Sequence, residues 1–403
     1  MYRKKAKMRV VLIILAVVTA SYAAKVVEIS KEYQTSQKCK PCHMHIVKEW
    51  EDSWHSKSHY LKDEYFRATM EYVARKTRKS PNSVKVKCAT CHNPRISVTS
   101  TNIEYEIKVL MKLDKDSKVN KAIDNKAISE GINCVVCHNI DKIHDDKDSS
   151  YRGINRVSWT KSGTMVGPFG DSVSPYHKSE HRDFMDKKSD QLCLVCHAND
   201  KSSHGLVFTD MQSEYKKSDK GCVDCHMGPR VSGVASTLRL ENAKAKQRSI
   251  RTHGFSGAHA PDMLKDSLGL NVRQEGSEIF IELKNSLPHN VPSGFGSREL
   301  IIDITYKNAT KEISRDSISL TRHYTRRGGK PTIAHLAKKA SEDMSIPALD
   351  KKVLKVKKAA GATSVDVKVY YRLVNDEVRS ILDLKDAIWS NKSLITSKIL
   401  KLN

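Results

Sequence analysis

The chain has 403 residues, enough for two or three ordinary domains, and a formal net charge of +24. Only 39% of the residues are hydrophobic, with 4 Trp and 7 Phe, against roughly 45–50% in an ordinary globular chain; a core built from side chains alone is therefore not expected throughout. Acidic residues are mixed among the basic ones and no nucleic-acid module is visible, which excludes nucleic acid as the use of the charge. An anionic redox partner or a membrane surface remains, beside plain solvation.

Residues 1–23 read as a secretory signal. Arg3, Lys4, Lys5, Lys7 and Arg9 form a basic head, Val10 to Ala20 an apolar run, and Ser21-Tyr22-Ala23 a small-x-small cleavage site. The run is short for a bilayer span, which takes about 20 residues; an uncleaved anchor is the alternative. No cysteine follows it, so lipoprotein processing is not expected. Without the five leader cations the mature chain carries +19. The expected location is periplasmic, with an extracellular one as the variant.

Between Cys39 and His226 lie all ten cysteines, in five Cys-x-x-Cys-His units. They are Cys39/Cys42/His43, Cys88/Cys91/His92, Cys134/Cys137/His138, Cys193/Cys196/His197 and Cys222/Cys225/His226. On one helical turn, positions i, i+3 and i+4 share a face. Two thiols can thus bond the two vinyl groups of one porphyrin while the histidine reaches the iron, the pattern of c-type haem attachment. A single unit could be half a zinc knuckle or a redox dithiol. Five repeats with no cysteine left over, each with its histidine, predict five c-type haems. Covalent attachment outside the cytoplasm agrees with the leader. Segments of fewer than about 40 residues per haem cannot close a core unaided, so the macrocycles supply the apolar surface.

In chain order, Leu61 to Lys79 has an apolar stripe and reads as a helix ended by Ser80-Pro81-Asn82. Ile103 to Met111 fits a helix or a strand. Gly163 to Pro175 is rich in Gly, Ser and Pro and reads as a loop delivering His177 and, four residues on, His181. The fourth and fifth units stand close in sequence and predict a stacked haem pair. From Leu268 the pattern changes to period two, in Ile279 to Leu283, Leu300 to Tyr306, Val365 to Leu373 and Ile395 to Leu402. The expected fold is mainly α with much irregular structure around five haems over residues 24–267. A β-rich, antiparallel sandwich-like domain follows over 268–403.

Trp50-Glu-Asp-Ser53-Trp54-His55, six residues after the first unit, resembles a motif of the multihaem cytochrome superfamily. That superfamily contains the tetrahaem cytochrome of ammonia oxidisers, hydroxylamine oxidoreductases and pentahaem nitrite reductases. The lead-in Glu130-Gly131-Ile-Asn-Cys134, the run Gly167-Pro-Phe-Gly-Asp before Pro175, His253-Gly-Phe-Ser-Gly-Ala-His259 and Pro288-His289-Asn-Val-Pro292-Ser-Gly294 extend the likeness. Ser256 and Pro288 stand where the family has proline and glycine. The resemblance implies distal iron ligands at His55, His177, His253, His259 and His289. His45, His59, His144, His181, His204, His323 and His335 stay in reserve.

Five proximal and five distal histidines make every iron six-coordinate, which suits electron transfer rather than catalysis. The expected function is an exported electron carrier between respiratory partner proteins, one of them a quinol-linked membrane complex, with membrane contact at most peripheral. Two alternatives stay open. One is a reductase of a small nitrogen or sulfur compound at one open haem, although every unit here ends in His and none in Lys. The other is a subunit of an extracellular cytochrome filament.

Overall fold

The computed structural model describes residues 35–144, 152–161, 164–216, 218–237 and 246–403. The leader lies outside the described residues. No helix among them is long and apolar enough to cross a membrane.

The first half is a set of short helices. Helix α1 (Lys40–Asp52) carries the first unit and departs from helical geometry at His43. Helix α2 (Glu64–Thr77) starts where the Asp63 carboxylate accepts from the Phe66 N–H (2.9 Å). In α3 (Pro81–His92), Pro81 opens the first turn and Ser80 caps it. Helix α4 (Ile103–Leu110) resolves the ambiguous segment: Asn102 accepts from the Tyr105 N–H (2.9 Å) and fixes its start. Three more units lie on α5 (Cys134–His138), α6 (Ser189–His197) and α7 (Cys222–His226). In α3, α5, α6 and α7 the histidine is the last helical residue, so its ring projects where the chain turns away.

A mainly α region is a correct expectation only in part. Four two-stranded ribbons interleave with these helices among the described residues. One of them corrects the loop expected from Gly163: Thr164–Gly167 pairs in parallel with Lys178–His181. The reason lies in its carbonyls, since His138 Nδ1 donates to Val166 O (2.6 Å) and Asn139 Nδ2 to Thr164 O (2.7 Å). The partner strand aligns those acceptors.

The second half packs two antiparallel sheets face to face. One contains β1 (Leu268–Glu275), β2 (Glu278–Asn285) and β5 (Lys351–Lys357), in the order β5-β2-β1. The other contains β3 (Glu299–Asn308), β4 (Lys311–Thr321), β6 (Ser364–Arg372) and β7 (Ser393–Lys401), in the order β4-β3-β6-β7. The period-two pattern explains the core: Ile279, Ile281 and Leu283 meet Leu300, Ile302, Ile304, Val365, Val367 and Val369 in one buried cluster. Each such side chain contributes about 1.5–3 kcal/mol when fully buried.

The halves share an apolar seam. Tyr72 of α2 packs with Ile333, Leu336, Val378 and Trp389 from the second half. The Trp389 indole N–H donates to Glu64 Oε2 (2.8 Å) at the start of α2.

Candidate haem-binding histidine pairs

The five units are neighbours. The Cys39 thiol meets Cys134, Cys91 meets Cys196, and Cys193 meets Cys222. Cys137 lies within electrostatic reach of Cys193. The first unit therefore adjoins the third, the third adjoins the fourth, and the fourth adjoins both the second and the fifth. All ten thiols are free of disulfides. The fourth and fifth units are locked further where Asp190 Oδ1 accepts from the Cys222 N–H (2.7 Å).

Three of the unit histidines each face a second imidazole. His197 and His55 stand 6.4 Å apart, ring centre to ring centre, with planes 35° apart. His138 and His253 stand 6.4 Å apart at 23°, and His226 and His289 6.3 Å apart at 24°. A metal–imidazole bond takes about 2.0–2.1 Å, and the ring centre lies about 1.1 Å behind the nitrogen, so two imidazoles on one iron stand about 6.3 Å apart. The three spacings fit that geometry. Among the described residues no three His, Cys, Asp or Glu side chains converge as a tetrahedral zinc site requires; these imidazoles come in facing pairs.

The second ring nitrogens agree. His43 Nδ1 pairs with Ala235 O (2.7 Å), His138 Nδ1 with Val166 O (2.6 Å) and His226 Nδ1 with Ser256 O (2.6 Å). A ring that donates from Nδ1 to a carbonyl keeps Nε2 free to ligate. His92 hydrogen-bonds the Ser58 backbone. Burial, with His197 beside it, pushes His55 down to about 3. Burial, with His138 beside it, pushes His253 down to about 4. Both are neutral at ordinary pH, the form that binds a metal.

The sequence motifs acquire physical reasons. The Trp50 indole N–H donates to Ile132 O (2.8 Å), in the lead-in to the third unit, and Ser53 Oγ donates to Trp50 O (2.7 Å) where α1 ends. The chain then turns and presents His55, whose carbonyl accepts from the Ile132 N–H (3.1 Å). Gly131 sits at φ +65°, and a Cβ there would lie 2.3 Å from Ser58 Oγ and 2.8 Å from His55 O. His289 is held by the sandwich: Asn285 Nδ2 donates to His289 O (2.8 Å), and the Ala348 N–H to Asn290 Oδ1 (3.0 Å).

His177 is exposed. Its approach segment reaches the first unit indirectly. Arg248 Nη1 binds Asp171 (2.6 Å), and Arg248 belongs to the ribbon Val231–Val234/Gln247–Ile250, next to the Ala235 carbonyl that holds His43. His43 and His177 both lie within electrostatic reach of His138.

His259 is placed otherwise. Its ring stacks on Trp54 at 3.7 Å and 10°, with Trp389 edge-on at 6.2 Å. Among the reserves, His59 accepts the Leu61 N–H at Nδ1 (3.2 Å), which places the ring proton on Nε2. His335, kept in reserve on sequence and absent from the expected distal set, is a further candidate. Its ring packs against Phe208 (4.9 Å) and Phe295 (5.7 Å), and its Nδ1 is buried without a partner. Its carbonyl accepts from the Ser203 N–H (2.8 Å), on the segment where Asp200 pairs with Arg152. Next to Arg152, Gly153 packs on Thr90 and Cys91 of the second unit. His335 therefore lies against that unit, within electrostatic reach of His92. The available signal was a lone histidine in the apolar run Ile333-Ala-His-Leu-Ala337.

No family model matches the chain, and no curated protein matches it. Among solved structures it is similar to a penta-heme cytochrome c552 from Thermochromatium tepidum, at a TM-score of 0.68 and 19% identity, covering 91% of this chain and 98% of that one. A superoxide reductase from Nanoarchaeum equitans overlaps 27% of this chain at a TM-score of 0.14 and 14% identity, too low to carry an argument. The fold over nearly the whole chain is that of a penta-heme cytochrome.

Proposed function

We propose that the protein is an exported five-haem cytochrome c that carries electrons between respiratory partners. The observation that carries this reading is the spacing of the three imidazole pairs, 6.3–6.4 Å, each with one member from a Cys-x-x-Cys-His unit. The thiols of Cys39, Cys42, Cys88, Cys91, Cys134, Cys137, Cys193, Cys196, Cys222 and Cys225 would hold the porphyrins. His43, His92, His138, His197 and His226 would be proximal ligands. His253, His55 and His289 would complete the third, fourth and fifth sites. His177 would complete the first and His335 the second, so that His335 rather than His259 would be the fifth distal ligand.

Bound in this way, the haems would supply one-electron chemistry. The chain's part is to hold neutral imidazoles in fixed orientation, exclude water, and set the units side by side. That adjacency gives a continuous route from the first unit through the third to the fourth, which branches to the second and fifth. Localisation in the periplasm follows from the leader and from the place where c-type haem is attached. A quinol-linked membrane complex and a soluble redox protein are the partner classes that suit it.

Intact mass of the mature protein after denaturation tests the cofactor count. Five covalently retained haems are expected. Retention of four or fewer in fully matured protein overturns the count.

A further inference from the structure

One surface feature stands apart from the histidine sites. Helix α4 and the turn after it leave Ile103, Ile107, Leu110, Met111 and Leu113 between 48 and 83% exposed. Tyr105, on the other side of α4, is buried in the helical core beside Val86 and Ala89, with its hydroxyl on Asn120 Oδ1 (2.8 Å). Residues 103, 107, 110 and 111 fall on one face at helical spacing, so the apolar stripe points outward and the helix is anchored by its opposite side. A contiguous apolar face of this kind marks an interaction surface.

Its surroundings are basic. The Ser80 N–H donates to Glu106 Oε2 (3.0 Å), which brings the end of α2 against α4. That end carries Arg75, Lys76, Arg78 and Lys79, all exposed. Lys108, Lys112 and Lys115 are exposed on α4 and the turn beyond it. Glu104 is matched by Lys108, Glu106 is occupied by Ser80 and Asp114 by the Asn120 amide; Asp116 beyond Leu113 is exposed, and the six other cations outnumber it.

We propose that this face docks the protein on an anionic lipid surface. Protruding Ile, Leu and Met side chains sink into the headgroup boundary while the flanking lysines and arginines meet lipid phosphates, the composition of interfacial helices. An acidic protein partner would call for the cations alone. Five projecting aliphatic side chains suit a medium that yields to them. Docking does not depend on the haem reading. If that reading holds, docking also turns the second unit toward the membrane, because α4 packs on the core of α3.

The test uses the full mature protein and sedimentation with vesicles of phosphatidylglycerol and phosphatidylcholine, against vesicles of phosphatidylcholine alone. Binding is expected only with the anionic lipid, weakened by salt. It should fall about tenfold or more in Leu110→Glu/Leu113→Glu and in Arg78→Gln/Lys79→Gln, with the visible spectrum unchanged. Hydrogen exchange on the wild type needs no variant, and vesicles should protect residues 103–113. The proposal is overturned by absence of binding, by equal binding to both vesicles, or by protection elsewhere only. It is also overturned by self-association that Leu110→Glu/Leu113→Glu abolishes without any vesicle binding, which would assign the face to a second copy.

Discussion

His289 faces His226 across 6.3 Å, although more than sixty residues and a change from helices to sheets separate them. The sandwich therefore brings a second imidazole to a histidine that the helical half carries. A turn residue would not need Asn285, buried at the end of β2, to bind its carbonyl, nor Asn290 to be fastened to residue 348. If His226 and His289 hold one iron as proposed, domain docking and iron coordination are coupled at this point.

From that coupling, His289→Ala should convert about one haem in five to high spin and open it to carbon monoxide, as proposed for single-ligand loss at a bis-histidine iron. Truncation after Ser267 removes both His289 and His335 and should open two. Electron paramagnetic resonance and carbon monoxide difference spectra report both changes. Five haems that stay low-spin in His289→Ala would return His289 to the role of a turn residue.

The second site separates two histidines. His335→Ala should open one haem, whereas His259→Ala should leave all five low-spin, because the His259 ring is engaged in its stack with Trp54. The reverse result would restore His259 as ligand and make His335 a core residue among Phe208 and Phe295.

Gly131 gives a backbone prediction. At φ +65°, an alanine costs about 1–2 kcal/mol for the left-handed conformation alone, before the contacts with Ser58 and His55 O are counted. Gly131→Ala should lower the melting temperature and disturb the His55 site. A variant with unchanged melting and spectrum would contradict the packing described.

A pH dependence follows from His259. Burial first, then the Arg298 and Lys57 charges, push it down to about 3 from the ordinary 6.5. Its flanking rings are Trp54 and Trp389. The unfolded chain binds the proton more readily, so the stabilising contribution is complete above about pH 6.5 and is lost as pH falls toward 3. Melting followed from pH 7.5 to 4 should fall less steeply for His259→Gln than for the wild type. Identical slopes would mean that the ring is not held neutral.

Much of this was legible in the chain. Cysteine spacing identified the five units, and period two located β2, β3 and β6 because their side chains alternate between core and solvent. The helix from Glu64 to Thr77 followed from its stripe and its Ser80-Pro81 stop. Pairing was not legible, since which imidazole faces which depends on how ribbons and helices stack. Nothing near His335 marks it except burial, while His259 sits in a motif whose Trp54 partner lies two hundred residues upstream. The Thr164–Gly167 strand was hidden for a similar reason: its pairing serves the carbonyl that holds His138, not a hydrophobic pattern of its own.

On the proposed reading, histidine pairs close all five irons, and the protein would be a carrier rather than a reductase. Carbon monoxide and nitrite titration of the reduced native protein, read as the fraction of haem absorbance perturbed, tests it most directly. Histidine ligation at every iron predicts no perturbation and a wholly low-spin resonance spectrum. A perturbation amounting to about one haem in five would contradict it and identify an open site where a small nitrogen compound could react.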